Sequence, residues 1–461
     1  MAAAVVPAAE ATASKEDTGR VLESPDTNSR EEQFTICPLS EEECKPFYLN
    51  AESHCTVTFY KGSFDIEKIK GRLLEICRAN PWVLGRIKWS DKIRFKSKKR
   101  GLDLIYMDSP PDDFILKRCT NILPPDSYNI SDNIHYSILS KNILNSPCNV
   151  VRGKELIENS ESPPFFKVSF IPFGDNKKFA MVVAMSKLAG DGFSYYSIMN
   201  QMGIKNKIEA MEIERKQYKN YLISALGMQE YEMYFSLGKR FNFWLHKKFR
   251  KKPIVRCYNL EDSRLDRLKN KAHYEYDEPF ISTNDIVTSH FAKLVKPRLL
   301  SIMLDFRLRM PDIVYSDVGN YQFEFYYQKE DFKTPALIRR SLMGERREGQ
   351  FIRMGANPGR ERSLPYFTRP FCRMAFVNNW TSFTEGDFKL HEDYEQTMHL
   401  PIIDTEDIRR ETCIIFRTKH KQDAALVISR VLNDKKLAKD SSGGGPFGFI
   451  ASVPLFRTLK K

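Results

Sequence analysis

Arginine is the residue type whose spacing first suggests chemistry. Arg339-Arg340, Arg346-Arg347, Arg353, Arg360 and Arg362 fall within one stretch, dense enough in guanidinium groups to meet phosphate oxygens by bidentate hydrogen bonds. A solvated charged loop is the competing reading. Gly344-Glu-Arg-Arg-Glu-Gly349 lacks the spacing of a P-loop, which argues against nucleoside triphosphate binding. The metal-ligating types are scattered. Cysteines at 37, 44, 55, 77, 119, 148, 257, 372 and 413 include no CxxC pair, and no His stands at zinc-ligand spacing, so no metal site is expected. An odd number of thiols spread this thinly fits reduced, mostly buried cysteines and a cytoplasmic location.

A different surface chemistry is written in Leu237-Gly-Lys-Arg-Phe241-Asn-Phe243-Trp244-Leu245-His-Lys-Lys-Phe249-Arg-Lys-Lys-Pro253, with seven Lys or Arg and no acid. On a helix, Leu237, Phe241, Trp244, Leu245 and Phe249 fall on one side with cations on the flanks. An interfacial helix on an anionic membrane or lipid surface has this composition, with Phe241, Trp244 and Phe249 as its contacts. So has a helix that joins two lobes and packs its aromatic face on the core. No nucleic-acid-reading module accompanies the patch, so nucleic acid is not an expected partner.

These residues need a scaffold, and the chain is long enough to supply one. Its 461 residues are 42% hydrophobic and 28% charged, ordinary for a folded chain, and 72 Lys+Arg against 59 Asp+Glu give a net charge of +13 that invites anionic partners. The longest apolar run, Phe179 to Met185, is far short of the roughly 20 residues that cross a bilayer. Residues 1–30 carry almost no large apolar side chain and are expected to be a disordered, non-targeting tail. Ser441-Ser-Gly-Gly-Gly-Pro446 sets off a flexible tail over 441–461. Between them the pattern predicts a helix over 64–80, an extended run over Trp82–Trp89 and strands over 165–173 and 180–185. A tight Gly-bearing loop and a helix over 186–199 follow. Farther on come a helix capped by Ser282, strands over 300–306 and 320–327, and further short strands to 428. Strands and helices alternate in both halves, which predicts an α/β (α+β) class with mixed sheets. The expected organisation is a lobe over 31–225, a basic aromatic connecting segment over 226–280 and a second lobe over 281–440.

Several separated segments together resemble one superfamily. Ser186-Lys187-Leu-Ala-Gly190-Asp191-Gly192 after its strand resembles the HxxxDG segment of the CoA-dependent acyltransferases, which include chloramphenicol acetyltransferase, plant HxxxD acyltransferases and condensation domains. Ser282-Thr-Asn-Asp285, Leu304-Asp-Phe-Arg307-Leu-Arg309-Met-Pro311 with Gly319-Asn320-Tyr321, and Asn379-Trp380 with Asp387-Phe388 resemble later motifs in order. Asn80-Pro81-Trp82 and Gly85-Arg86 extend the likeness into the first half.

The resemblance implies two chloramphenicol-acetyltransferase-like lobes with a tunnel between them, and acyl transfer from acyl-CoA to a hydroxyl or amine acceptor, a hydrophobic one if the basic aromatic segment meets lipid. Acyl-CoA would be a co-substrate, with no permanently bound cofactor, and the protein is expected to be a monomer. The resemblance further implies that Asp191 pairs with an arginine, here Arg307, to fix the loop, that Gly192 lets the backbone turn, and that Ser186, Asn379 and Trp380 line the tunnel. Arg339, Arg340, Arg346 and Arg347 would meet the CoA phosphates. The likeness breaks at the base, because Lys187 stands where the superfamily has His and none of the eight histidines (54, 135, 246, 273, 290, 391, 399, 420) lies in the motif. A lysine works as a base near neutral pH only if its pKa drops by about three units. Lys187 is therefore either a variant catalyst or the mark of a catalytically silent relative that binds an acyl chain, CoA or a protein.

Overall fold

The computed structural model describes residues 33–447 except 94, 96–99, 132–133, 160, 162, 175, 250–251, 344, 348–349, 353–371, 384–387, 420, 434, 438 and 440–444. The 1–30 tail, Arg353, Arg360, Arg362, Asp387 and nearly all of the 441–461 tail thus lie outside the described residues. In chain order the strands are β1 (Phe34–Pro38), β2 (His54–Lys61), β3 (Arg86–Ile93), β4 (Arg100–Met107), β5 (Thr120–Ile122), β6 (Phe166–Pro172), β7 (Lys178–Met185) and β8 (Ile254–Asn259). They continue as β9 (Leu299–Asp305), β10 (Gln322–Tyr327), β11 (Glu345–Arg347), β12 (Gln350–Ile352), β13 (Met374–Asn379), β14 (Glu395–Pro401), β15 (Glu411–Lys419) and β16 (Gln422–Ser429).

Two large mixed sheets carry the architecture. One has the order β14-β2-β7-β6-β5 and the other β10-β9-β13-β15-β16-β8, beside a small β1-β4-β3 sheet and a β11-β12 ribbon. In the first, β7 pairs antiparallel with β2 and β6 while β5 runs parallel to β6. In the second, β13 runs parallel to β9 and β15, and the remaining pairs are antiparallel. The fold is α/β with mixed sheets. The strands do not stay within the segments 31–225 and 281–440: β14 joins the first sheet by pairing with β2, and β8, from the connecting segment, closes the edge of the second.

The side-chain period of two explains how the two cores adjoin. Along β15 and β16, Ile414, Phe416, Ala424, Leu426 and Ile428 enter the core that surrounds the first sheet. Their neighbours Cys413, Ile415, Ala425 and Val427 enter the second core. Both faces of these strands are covered, which is why the sequence there is continuously apolar. The described residues from Phe34 onward accordingly form one compact unit.

Local signals mostly act as their chemistry dictates. Ser282 caps the helix Thr283–Val295 in a reciprocal capping box with Asp285. The helix over Glu67–Ala79 ends at Asn80. The run after Pro81 is not extended throughout: Pro81–Leu84 is a 3-10 turn, because proline suits a first helical position and Trp82, Val83 and Leu84 are all buried by turning inward. Strand β3 starts only after Gly85, where a Cβ would stand 2.7 Å from the Ile105 carbonyl oxygen.

Candidate functional site

Strand β7 delivers the motif loop. Its last residue, Met185, pairs with His54 of β2, and Ser186 N donates to the Phe165 carbonyl at 2.8 Å before the chain leaves the sheet. Ser186 Oγ then accepts from Leu188 N at 3.3 Å, a local bond that holds the turn. Asp191 caps the following helix, Gly192–Asn200, through Ser194 N at 2.9 Å.

Asp191 is also the centre of a buried ion pair. Arg307 Nη1 lies 2.9 Å from Asp191 Oδ2, and Nη2 lies 3.2 Å from Oδ1. Tyr321 N donates to Oδ2 at 2.9 Å. The Arg307 side chain is fully buried and also donates to Asp305 Oδ1 at 3.0 Å and to the carbonyls of Asp317 and Gly319. The two neighbouring carboxylates outweigh the effect of burial and hold the Arg307 pKa above its ordinary value. Together these bonds tie the motif loop to β9 and to the Gly319-Asn320-Tyr321 segment. Asn320 Nδ2 adds a bond to the Lys187 carbonyl at 2.9 Å.

Lys187 itself is partly buried, and desolvation, helped by Arg410, pushes its ammonium pKa down while Glu52 acts against them. Beside the loop opens a cleft of about 870 Å³. Phe193 and Asn200 of the motif helix form one side; Arg307, Arg309, Arg339 and Asn379 form another. Three guanidinium groups in one cleft favour an anionic ligand. All three are already engaged: Arg307 with Asp191 and Asp305, Arg339 with Asp285, with Nη2 at 2.5 Å and Nε at 2.8 Å, and Arg309 through Nη1, which donates to the Leu342 carbonyl at 2.7 Å.

The remaining sequence candidates separate. Asn379 is at the cleft, with its Oδ1 accepting from Thr381 N and Oγ1. Ser186 and Trp380 are buried and are not among the lining residues; the Trp380 ring packs edge-on against Tyr196, 5.8 Å between centroids. Arg340 pairs with Glu278 and is likewise not a lining residue. Arg346 and Arg347 belong to β11, and their side chains lie outside the described ones. His399 is a satisfied core residue between Thr58 Oγ1 at 2.8 Å and Tyr196 Oη at 3.0 Å, and burial lowers its pKa to about 3. Among the described residues no three His, Cys, Asp or Glu side chains converge as a metal site would require.

His54 joins the site from outside every sequence motif. It opens β2 directly below the motif loop, its ring 5.8 Å from that of Tyr195 and its environment shared with Lys187 and Gly190. Only strand pairing brings it there, and no short-range motif marks it.

The helix Leu237–Phe249 settles which of its faces packs inward. Lys239 and Asn242 are buried: Lys239 Nζ donates to Glu324 Oε2 at 3.0 Å and Tyr326 Oη at 2.7 Å, and Asn242 Nδ2 donates to the Cys372 carbonyl at 3.0 Å. Phe241, Trp244 and Phe249 are 59%, 47% and 61% exposed, so the aromatic side does not pack on the core. Among the described residues no helix is long and apolar enough to cross a membrane.

No family model and no curated protein sequence matches the chain. Solved structures do. F. graminearum TRI101, crystallised with ethyl coenzyme A, aligns with a TM-score of 0.55 at 12% identity, over 89% of this chain and 97% of that one. Vinorine synthase aligns with a TM-score of 0.51 at 12% identity, over 90% and 93%. The polyketide synthase associated protein 5 of Mycobacterium tuberculosis aligns with a TM-score of 0.50 at 12% identity, over 88% and 96%. The chain therefore has the two-lobed fold of the CoA-dependent acyltransferases, over nearly the whole length of each of these proteins.

Proposed function

We propose that the protein is an acyl-CoA-dependent acyltransferase-like enzyme that moves an acyl group to a hydroxyl or amine acceptor. The observation that carries this reading is the arginine-lined cleft of about 870 Å³ beside a motif loop locked by the Asp191–Arg307 pair. The fold adds support, since TRI101 is crystallised with coenzyme A and with T-2 mycotoxin. Arg307 and Asp191 fix the loop, Gly192 opens the helix beside the cleft, and Arg339 and Arg309 offer positive charge to the phosphates of the co-substrate. A hydrophobic acceptor agrees with the outward aromatic face of the Leu237–Phe249 helix, which suits peripheral contact with an anionic lipid surface.

Calorimetry with acetyl-CoA and a long-chain acyl-CoA, paired with thiol-release assays on wild type and Lys187→Ala, tests the reading. Saturable binding of either thioester is expected. Binding without thiol release across a panel of amine and alcohol acceptors would make the protein a ligand-holding relative, a reading that the Lys187 substitution favours. Failure of both thioesters to bind would end the acyl-CoA proposal.

A further inference from the structure

Two side-chain nitrogens next to the motif loop, His54 Nε2 and Gln322 Nε2, are buried and have no hydrogen-bond partner among the described residues. Leaving a polar group buried and unsatisfied costs about 1–3 kcal/mol, so two of them beside one glycine require an explanation. They arrive from opposite sheets. His54 opens β2 and Gln322 opens β10. Both side chains converge on Gly192, where a Cβ would stand 3.5 Å from Gln322 Oε1, 3.8 Å from Phe383 Cε2 and 3.9 Å from His54 Cε1. Phe383 and Phe193, the residue after Gly192, both line the cleft. The orphaned side chains thus adjoin two residues that line the cleft, at the loop where the sequence motif lacks its histidine.

The tautomer follows from the bonds. The Gly190 backbone carbonyl interacts with the imidazole, and because Nε2 has no partner among the described residues the ring proton is assigned to Nδ1. A neutral ring with its proton on Nδ1 presents the Nε2 lone pair as an acceptor. His54 as a whole is half-buried, and Nε2 itself is covered.

We infer that His54, rather than Lys187, is the general base of the acyl transfer proposed above, and that the Gln322 amide beside it orients the acceptor. The inference rests on the acyl-CoA reading. The acceptor O–H or N–H proton passes to Nε2 as the acceptor heteroatom forms its bond to the thioester carbonyl carbon. When the tetrahedral intermediate collapses, the C–S bond breaks and the proton passes from Nε2 to the departing CoA sulfur. The products are the ester or amide and free CoA thiol, and the imidazole is again neutral. Lys187 acts through His54 as a tuning residue. Burial of the ring and, after it, the positive charge of Lys187 both oppose a second proton and hold the His54 pKa well below its ordinary value, so the resting ring is neutral.

The test uses S-bromoacetyl-CoA, whose reactive carbon sits where an acyl carbon would. Attack by a nitrogen lone pair forms a C–N bond and expels bromide. Peptide mapping is expected to find the –CH2–CO–S–CoA group, or the carboxymethyl group left by hydrolysis of its thioester, on His54, with excess acetyl-CoA protecting it. His54→Gln should abolish labelling while calorimetric acetyl-CoA binding is retained. Lys187→Met should still label at His54, with the midpoint of the labelling-rate profile moved to higher pH, because the cation that depresses the ring's pKa is gone. An adduct on Lys187, or no adduct on His54 in a protein that binds acetyl-CoA, would overturn the assignment and leave the acyl-CoA reading standing. Absence of acetyl-CoA binding would instead remove that reading, and this inference with it.

Discussion

Asp191 accepts from Ser194 N and Oγ, from both terminal nitrogens of Arg307 and from Tyr321 N. With every lone pair of the carboxylate engaged, it has none to offer a substrate, and its task is to hold the loop. Breaking a buried ion pair from one side leaves the other charge stranded and costs about 3–5 kcal/mol. Arg307→Ala is therefore expected to lower the unfolding free energy by that order. Adding Asp191→Asn should cost little more, because the charge left behind is removed with it. Urea melts of the two single variants and the double variant check this; additive losses would show that the two residues do not act as a pair. At this scale the sequence was readable where motif residues are neighbours in the chain, and silent where they meet across strands. Lys187 and Asp191 are visible by spacing. His54 depends on the β2–β7 register, which no local pattern encodes.

At the scale of elements, the Leu237–Phe249 helix was legible as amphipathic but not in its orientation. Composition alone favours neither an inward nor an outward aromatic face, and the decision falls to Lys239, whose burial is offset by Glu324 and Tyr326. The exposed rings are braced by a cation: Lys248 Nζ lies 5.1 Å from the Trp244 ring centroid and 5.5 Å from that of Phe249. An aromatic face with basic flanks matches the interfacial layer of an anionic bilayer, where rings enter the headgroup region and cations meet lipid phosphates. Replacing Phe241, Trp244 and Phe249 together by Ala is expected to abolish cosedimentation with phosphatidylserine-containing vesicles. The melting temperature should hardly move, since exposed substitutions usually change stability by no more than about 0.5 kcal/mol each. Wild-type binding should weaken as salt is raised. Unaltered cosedimentation of the triple variant would exclude this face as the contact.

For the whole molecule, the alternation of strands and helices was enough to predict the class, but not the exchange of β14 and β8 between segments, because such pairings join residues far apart in sequence. One buried cluster shows what fastens these distant parts. Glu324 of β10 lies between Lys239 of the connecting segment, at 3.0 Å, and Arg410, just before β15, at 2.9 Å. Burial alone would raise the Glu324 pKa, yet Arg410 and Lys239 hold it down to about 2, against an ordinary value of 4.5. The folded state thus binds this proton less readily than the unfolded chain. The cluster's contribution is complete above about pH 4.5 and is lost as pH falls toward 2, a change of order 3 kcal/mol. Lys239 behaves oppositely: desolvation and Arg410 hold it down to about 8 despite Glu324, so its share of stability rises as pH increases from about 8 toward 10.5. Glu324→Gln should destabilise the protein at neutral pH, since two buried cations then face each other without a carboxylate, and should flatten the acid limb of the stability profile. Urea unfolding of wild type and variant at intervals from pH 7 to pH 3 measures both effects. Parallel profiles, offset but of equal slope below pH 4.5, would mean that Glu324 is not a carboxylate whose protonation loosens the joint between the connecting helix and the second sheet.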